Sequence, residues 1–321
     1  MIYILFILSF ALTLIIKNIA IKKSFVAEVN ERSSHIIPTP HGGGIAIAVT
    51  WFIGLNYLYF TSQIPKELFF ALLVGFIISI ISFVDDLYEL SPKVRLFAQS
   101  ITSFLGLYLL GGFRELDLFV VALDNPILTN IFAFFMIIWF INLYNFLDGI
   151  DGYAGSEAVF LSISGYILFG GEHFLVLAVS VAGFLVWNWH RAKIFMGDVG
   201  STLLGYNVAI FTIYYANQNS ENFWIWITLF GLFWFDATFT LYKRFKNREK
   251  LSKAHKKHAY QRLTQAGFSH SLVVLLSIVV NILLFCIVVF VPNRFVAFII
   301  AIILLILLYR IIDTKKAFKM V

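Results

Sequence analysis

Two consecutive carboxylates, Asp85 and Asp86, stand at the end of an apolar stretch. Unpaired acids are costly there and call for a cation, a basic partner or water. Adjacent helical residues point about 100° apart, so the two acids are expected to take different roles. Lys93 and Arg95 follow closely, as ion-pair partners or phosphate contacts. Asn142, Asn145, Asp148 and Asp151 recur every third residue, which on a helix forms a slanting polar stripe. Gly149 and Gly152 are expected to break that helix, and acids at its C-terminus would need a compensating positive charge, such as a metal. The run Phe195-Met196-Gly197-Asp198-Val199-Gly200-Ser201 opens another apolar stretch. Asp198 reads either as a helix N-cap or as a carboxylate holding Mg²⁺ against a phosphate at a helix N-terminus. His41-Gly42-Gly43-Gly44 permits close approach of a ligand or tight packing of helices. His255 and His258, three residues apart among lysines and arginines, suit a diphosphate. No cysteine is near them, so zinc is not expected there.

The elements that position these residues are set by composition. Of 321 residues, 60% are hydrophobic and 13% charged, with mean hydropathy +0.87, whereas soluble domains carry about 25% charged residues. One water-soluble core cannot hide this surface, and an all-α integral membrane protein is expected, a single polytopic domain over 1–321. Eleven apolar stretches are candidate spans: 2–21, 44–60, 67–84, 95–111, 126–145, 153–169, 173–190, 199–216, 222–242, 271–291 and 294–311. The first runs into Lys17, Lys22 and Lys23 without a small-residue cleavage site and reads as a span. With the loop after Lys23 cytoplasmic, 21 of the 24 lysines and arginines face inward, leaving Lys66, Arg114 and Arg294 outside. The net charge of +6 is thus a matter of topology, and nucleic acid is not an expected partner. The single cysteine, Cys286, excludes an intramolecular disulfide. Trp187 and Trp189 read as interface-belt residues.

All the unusual polar clusters fall in the inside segments: 38–44, Asp85-Asp86, 142–152, 188–201 and 255–262. That convergence predicts one cytoplasmic site built from several loops. Secondary transporters also carry intramembrane acids, but near the bilayer midplane and open to both faces. The ordered set Thr39-Pro40-His41-Gly42-Gly43, Asp85-Asp86, Asn142-x-x-Asn145-x-x-Asp148-Gly149-x-Asp151-Gly152, Asn188 with Phe195-Met196-Gly197-Asp198-x-Gly200-Ser201, and His255-x-x-His258 resembles the polyprenyl-phosphate N-acetylhexosamine-1-phosphate transferases, the superfamily of MraY and WecA. The resemblance spans nearly the whole chain. MraY-type enzymes carry three adjacent histidines in the late loop and WecA-type enzymes His-x-His-His. The run Ala254-His255-Lys256-Lys257-His258 departs from both and looks more like the WbpL-like branch, which starts O-antigen or related surface glycans.

The resemblance implies transfer of a sugar 1-phosphate from a UDP-N-acetylhexosamine to undecaprenyl phosphate at the bacterial inner membrane. The muramyl-pentapeptide transferase of peptidoglycan synthesis is the alternative. Asp198 would coordinate Mg²⁺, or Mn²⁺ in its place. Asp85 would deprotonate or orient the lipid phosphate, with Asp86 in support, and a covalent phospho-aspartate route stays open. Asn188 and Phe195 match nucleoside-recognising positions. Asn142, Asn145, Asp148 and Asp151 would line the inner wall. His255 and His258, with Arg95 and Lys193, would hold phosphates, and His41 would contact substrate. The lipid tail would lie between spans, and a homodimer is compatible with the sequence.

Overall fold

The computed structural model describes residues 1–22, 26–27, 39–118, 121–251, 253 and 255–318. Lys23, Arg32, Pro38, Ala254 and Lys319, which entered the sequence expectations, lie outside these. Fourteen helices are present among the described residues. They are α1 Ile2–Lys22, α2 Gly44–Phe60, α3 Lys66–Leu73, α4 Gly75–Tyr88, α5 Pro92–Leu109, α6 Pro126–Phe146 and α7 Tyr153–Phe169. Then follow α8 Glu172–Asn188, α9 Asp198–Ala216, α10 Asn222–Leu229, α11 Gly231–Lys246, α12 Ala259–Gln265, α13 His270–Phe290 and α14 Arg294–Lys315. Two short antiparallel ribbons complete the described elements, Val26–Ala27 with Thr39–Pro40 and Leu116–Asp117 with Ala122–Leu123.

Each of the eleven apolar stretches coincides with a helix or a broken pair. Five helical spans are long and apolar enough to cross a membrane: α1, α3 with α4, α6, α13 and α14; a sixth follows if α10 and α11, bent by 72°, form one span. Length and apolarity therefore establish a multi-pass membrane protein, and eleven crossings remain an expectation. Large apolar side chains such as Phe60, Ile127 and Phe290 are exposed on the outside of the bundle, the arrangement a lipid solvent favours. Helix starts are written in the sequence. Ser91, Asn125, Ser269 and Asn293 cap α5, α6, α13 and α14 with side-chain oxygens, and Pro92 and Pro126 occupy first helical positions that need no N–H.

At the centre stands α9, nearly every residue of which is buried. It packs on α6 through Gly205, where a Cβ would lie 2.4 Å from the Phe140 carbonyl oxygen. It also packs on α4, where Ser82 and Thr202 share a 2.9 Å hydrogen bond. Long-range hydrogen bonds between loops gather at the two ends of the bundle. At one end Asn217 bonds Arg114 N and Gly112 O, and Trp224 bonds Asp117 O. The other end holds the polar clusters described next.

Candidate active site

The first feature is a scaffold of backbone. Gly43 N and Gly44 N donate to the carbonyls of Phe195 and Met196, and Phe195 N donates to Pro40 O. This seats the start of α2 on the start of α9. A Cβ on Gly44 would lie 2.3 Å from Gly200 N, so of the two uses open to the glycine run, helix packing is the one this geometry requires of Gly44. His41 is half-buried beside it, and burial lowers its pKa.

Asp198 begins α9 but does not cap it: Gly197, at φ 76°, is the N-cap and has no side chain to offer. The Asp198 carboxylate instead accepts from Asn145 Nδ2 at 2.8 Å, and the same amide reaches Ser201 Oγ at 3.0 Å. The capping alternative for Asp198 is thereby removed. Asp86 lies beside it, with Oδ1 3.5 Å from Asp198 N. Asp86 Oδ2 is buried with no hydrogen-bond partner among the described residues. Asp85, one residue earlier and about 100° around the helix, reaches the Asp198 carboxylate from another side. It accepts from Leu90 N at 2.7 Å and from Arg95 Nη1 at 3.2 Å.

The polar stripe does not continue as a helix. Helix α6 stops at Phe146, with Gly152 at φ 74° ahead of α7. Asn142 and Asn145 therefore stand on the last turn of α6, while Asp148 and Asp151 belong to the turn that follows. The Asn142 amide is paired with Gln99 on α5. Burial, followed by the like charges of Asp198 and Asp86, raises Asp148 to about 7. Asp151 turns the other way, toward His190, His270 and Ala192 N.

A cavity of about 660 Å³ opens among these elements, within the size range of small-molecule sites. Of the expected residues, Asp85, Arg95, Asn142, Asn145, Asp198, His255 and His258 line it. Ile78, Ile81, Leu96, Trp139, Phe146 and Leu241 give it an apolar side. Asp86 and Asp148 reach it only through neighbours. Five expected contacts sit outside its lining, and each has a physical reason; His41 stays at the α2–α9 seam described above. Asn188 is buried with its amide committed to backbone: Oδ1 accepts from Gly152 N at 3.0 Å, and Nδ2 donates to Ile194 O at 2.9 Å. Phe195 is half-buried, with its backbone in the α2–α9 seam. Lys193 is exposed and lies over the Trp187 ring, 5.3 Å from its centroid. Asp151 is held in the pairings just described.

The late basic loop closes the cavity and carries the residues that sequence reasoning missed. Arg244, buried at the end of α11, lines the cavity. It donates to the carbonyls of Lys250, Leu251 and Lys253 and pairs with Glu249, which also binds Lys257 at 2.7 Å. Those bonds hold Leu251 and Lys253 against the cavity, which both line. His258 is buried with Nδ1 3.6 Å from Asp236 Oδ1, and Asp236 accepts from Ala259 N at 2.8 Å. Burial, then the positive neighbours His258, Arg244 and Lys257, holds His255 down at about 3. Arg262 of α12 pairs with Asp313 on α14 and donates to Lys316 O just past that helix. Gln99 also lines the cavity, one turn beyond Arg95 on the same helix face, a spacing that could have found it. Arg244 gave no such signal within a run of nine basic residues.

The chain is 34% identical to a probable undecaprenyl-phosphate N-acetylglucosaminyl 1-phosphate transferase of Bacillus subtilis, over 82% of this chain and 76% of that protein. It is 28% identical to an undecaprenyl-phosphate alpha-N-acetylglucosaminyl 1-phosphate transferase of Thermotoga maritima, over 80% of this chain and 79% of that one. A phospho-N-acetylmuramoyl-pentapeptide-transferase of Streptococcus sanguinis is 32% identical over 54% of this chain and 59% of its own. Residues 68–216, which hold the acids, Asn145 and the start of α9, match the family model for glycosyl transferase family 4. With helices gathering those motifs at one end of a membrane bundle, the chain belongs to glycosyl transferase family 4, the MraY- and WecA-like polyprenyl-phosphate N-acetylhexosamine-1-phosphate transferases.

Proposed function

We propose that the protein transfers an N-acetylhexosamine 1-phosphate from its UDP-sugar to undecaprenyl phosphate, releasing UMP and starting a bacterial surface glycan. The observation that carries this reading is one cavity with carboxylates on one wall, Arg95, Lys253 and two histidines on others, and an apolar side. A dianionic lipid headgroup, a sugar diphosphate and a polyprenyl chain need those three surfaces together. The relatives' names favour N-acetylglucosamine as the sugar, and a 6-deoxy N-acetylhexosamine remains within the proposal. The expected inward location of the basic residues supports a cavity that opens to the cytoplasmic side of the inner membrane.

The donor set fits a divalent cation such as Mg²⁺. Asp86 Oδ2 is buried without a hydrogen-bond partner among the described residues, and Asp198 has no capping duty. Asp148 is raised by burial and then by its acidic neighbours Asp198 and Asp86, and an all-oxygen group of this kind is what Mg²⁺ prefers. Asp198 and Asp86 would hold the ion, which when bound offsets charge on the diphosphate as UMP leaves. Asn145 fixes the Asp198 rotamer. Asp85, fixed by Leu90 N and Arg95, orients the lipid phosphate, whose oxygen forms the new bond to the β-phosphorus as the bond to UMP breaks. His255, His258 and Lys253 hold the donor diphosphate, and Asn188 shapes the nucleoside wall by locking Gly152 to Ile194.

The test is UMP release and lipid product mass from purified protein, Mg²⁺ and undecaprenyl phosphate with a panel of UDP-sugars. Release of UMP with a small N-acetylhexosamine donor is expected. Turnover only with a muramyl-pentapeptide donor would overturn the choice of sugar, and no UMP with any donor would overturn the reaction. Exchange of 243–270 for the loop of a relative with another donor is expected to shift sugar preference and leave uridine preference in place.

A further inference from the structure

Outside the cavity lining, Asp151, His190 and His270 bring one potential ligand atom each to within 4.8 Å of one another. They come from three places far apart in sequence: the turn before α7, the segment after α8, and the first residue of α13. Both imidazoles turn Nδ1 toward the same carboxylate oxygen. Asp151 Oδ2 is 3.1 Å from His190 and 3.5 Å from His270. The rings converge at 65°, with centroids 5.8 Å apart, rather than stack.

Hydrogen bonding alone accounts poorly for this convergence. Oδ2 already accepts from Ala192 N at 3.1 Å and faces His190 at the same distance, which uses the two lone pairs of one oxygen. A second imidazole aimed at that oxygen exceeds its capacity. A shared cation removes the excess. Metal bonds of roughly 2.0–2.2 Å in a tetrahedron put donor atoms about 3.4 Å apart, and the two measured separations straddle that value. The Ala192 N–H is then the outer contact that orients a ligating carboxylate.

We propose that Asp151, His190 and His270 form a binding site for a first-row divalent cation, zinc by the chemistry of its donors. Two imidazoles and one carboxylate suit Zn²⁺ and not Mg²⁺, which takes oxygen ligands. The site goes beyond the transferase reading and shares no ligand with the Asp198 group. Three protein ligands leave a fourth position for water or a substrate oxygen. The ion ties the starts of α7 and α13 to the segment after α8, and so fixes the turn that carries Asp148 beside the Gly152–Asn188 bond.

The experiment uses full-length protein in detergent, stripped with a chelator, reloaded with zinc chloride, desalted and analysed by mass spectrometry for metal. One zinc per chain is expected for wild type, with affinity lowered about tenfold or more in His190→Ala and in His270→Ala, the scale of losing part of a metal site. Asp198→Asn and His255→Ala should keep the zinc. Because a histidine variant can lose metal by misfolding, wild type is also loaded with cobalt(II). An intense tetrahedral visible band that zinc displaces is expected. Zinc at background level in wild type, wild-type affinity in both histidine variants, or a purely octahedral cobalt spectrum would overturn the site. No sugar or lipid enters these measurements, so their failure is distinct from failure of the UMP assay.

Discussion

Arg95 and Asp85 face each other in the cavity wall, Nη1 to Oδ2 at 3.2 Å, the arginine 44% exposed and the aspartate 8%. An exposed guanidinium beside a buried carboxylate has donors left over for an arriving anion. Arg95→Ala is expected to raise KM for undecaprenyl phosphate by about 10- to 100-fold, the scale of a charge-assisted contact, with KM for the UDP-sugar little changed. Arg95→Lys should recover part of the loss. Steady-state kinetics with each substrate varied in turn checks this; an effect confined to the UDP-sugar would place Arg95 on the donor instead.

Asp198→Asn keeps the size of the side chain and removes its charge. Activity is expected to fall about a hundredfold or more, as for loss of a major electrostatic contact, while the protein still inserts and purifies. Normal turnover of the variant at limiting Mg²⁺ would reduce Asp198 to a structural partner of Asn145.

Much of this arrangement was legible in the sequence, because bilayer thickness and the placement of charge act on local composition. The eleven apolar stretches as helices, the gathering of the motifs at one end of the bundle and the separate partners of Asp85 and Asp86 all follow from helix geometry. What was not legible depends on long-range contact. The stripe 142–151 has helical spacing, yet α6 ends at Phe146 and turns Asp151 away from Asn145. Asn188 carries a free amide in the sequence and a committed one in the fold. Lys193 finds an aromatic ring, and Arg244, one cation among many, proves to be the anchor of a loop.

Gly149 is required by a neighbour from another part of the chain. A Cβ there would lie 2.0 Å from the Tyr260 hydroxyl, which donates to Phe146 O at 3.2 Å. Gly149→Ala is expected to cost about 1–3 kcal/mol, as overpacking does. Tyr260→Phe removes the clashing oxygen, so the double variant should lose less than the sum of the two single ones. Additive losses in a detergent unfolding series would show that the contact is not shared.

His255 supplies a pH dependence of stability. Its folded pKa lies at about 3, below the usual value of about 6.5 for histidine. As pH falls through 6.5 the unfolded chain takes a proton that the folded chain refuses until about 3, so this residue's share of stability declines across that interval. The thermal midpoint of wild type should drop between pH 7.5 and 5, and His255→Asn should flatten that drop. An identical slope in the variant would show that His255 protonates freely in the folded protein.

The orientation can be read with thiols. In a Cys286→Ala background, Ser91→Cys and Ser269→Cys should resist an impermeant maleimide in intact cells, whereas Ser220→Cys should react. The reverse pattern would turn the cavity to the other side of the membrane.

The pairing of Arg262 and Lys243 with Asp313 also bears on the order in which a ribosome makes the protein. The acids and Asn145 leave the exit tunnel well before α14, yet the loop carrying His255 and His258 is fastened by the end of α14. A nascent chain therefore carries its carboxylates before the loop beside the cavity can be fastened, and the cavity is completed only with insertion of that late helix. Premature termination within α14, ahead of Asp313, would leave Lys243 and Arg262 without their shared partner and the loop between them unlatched.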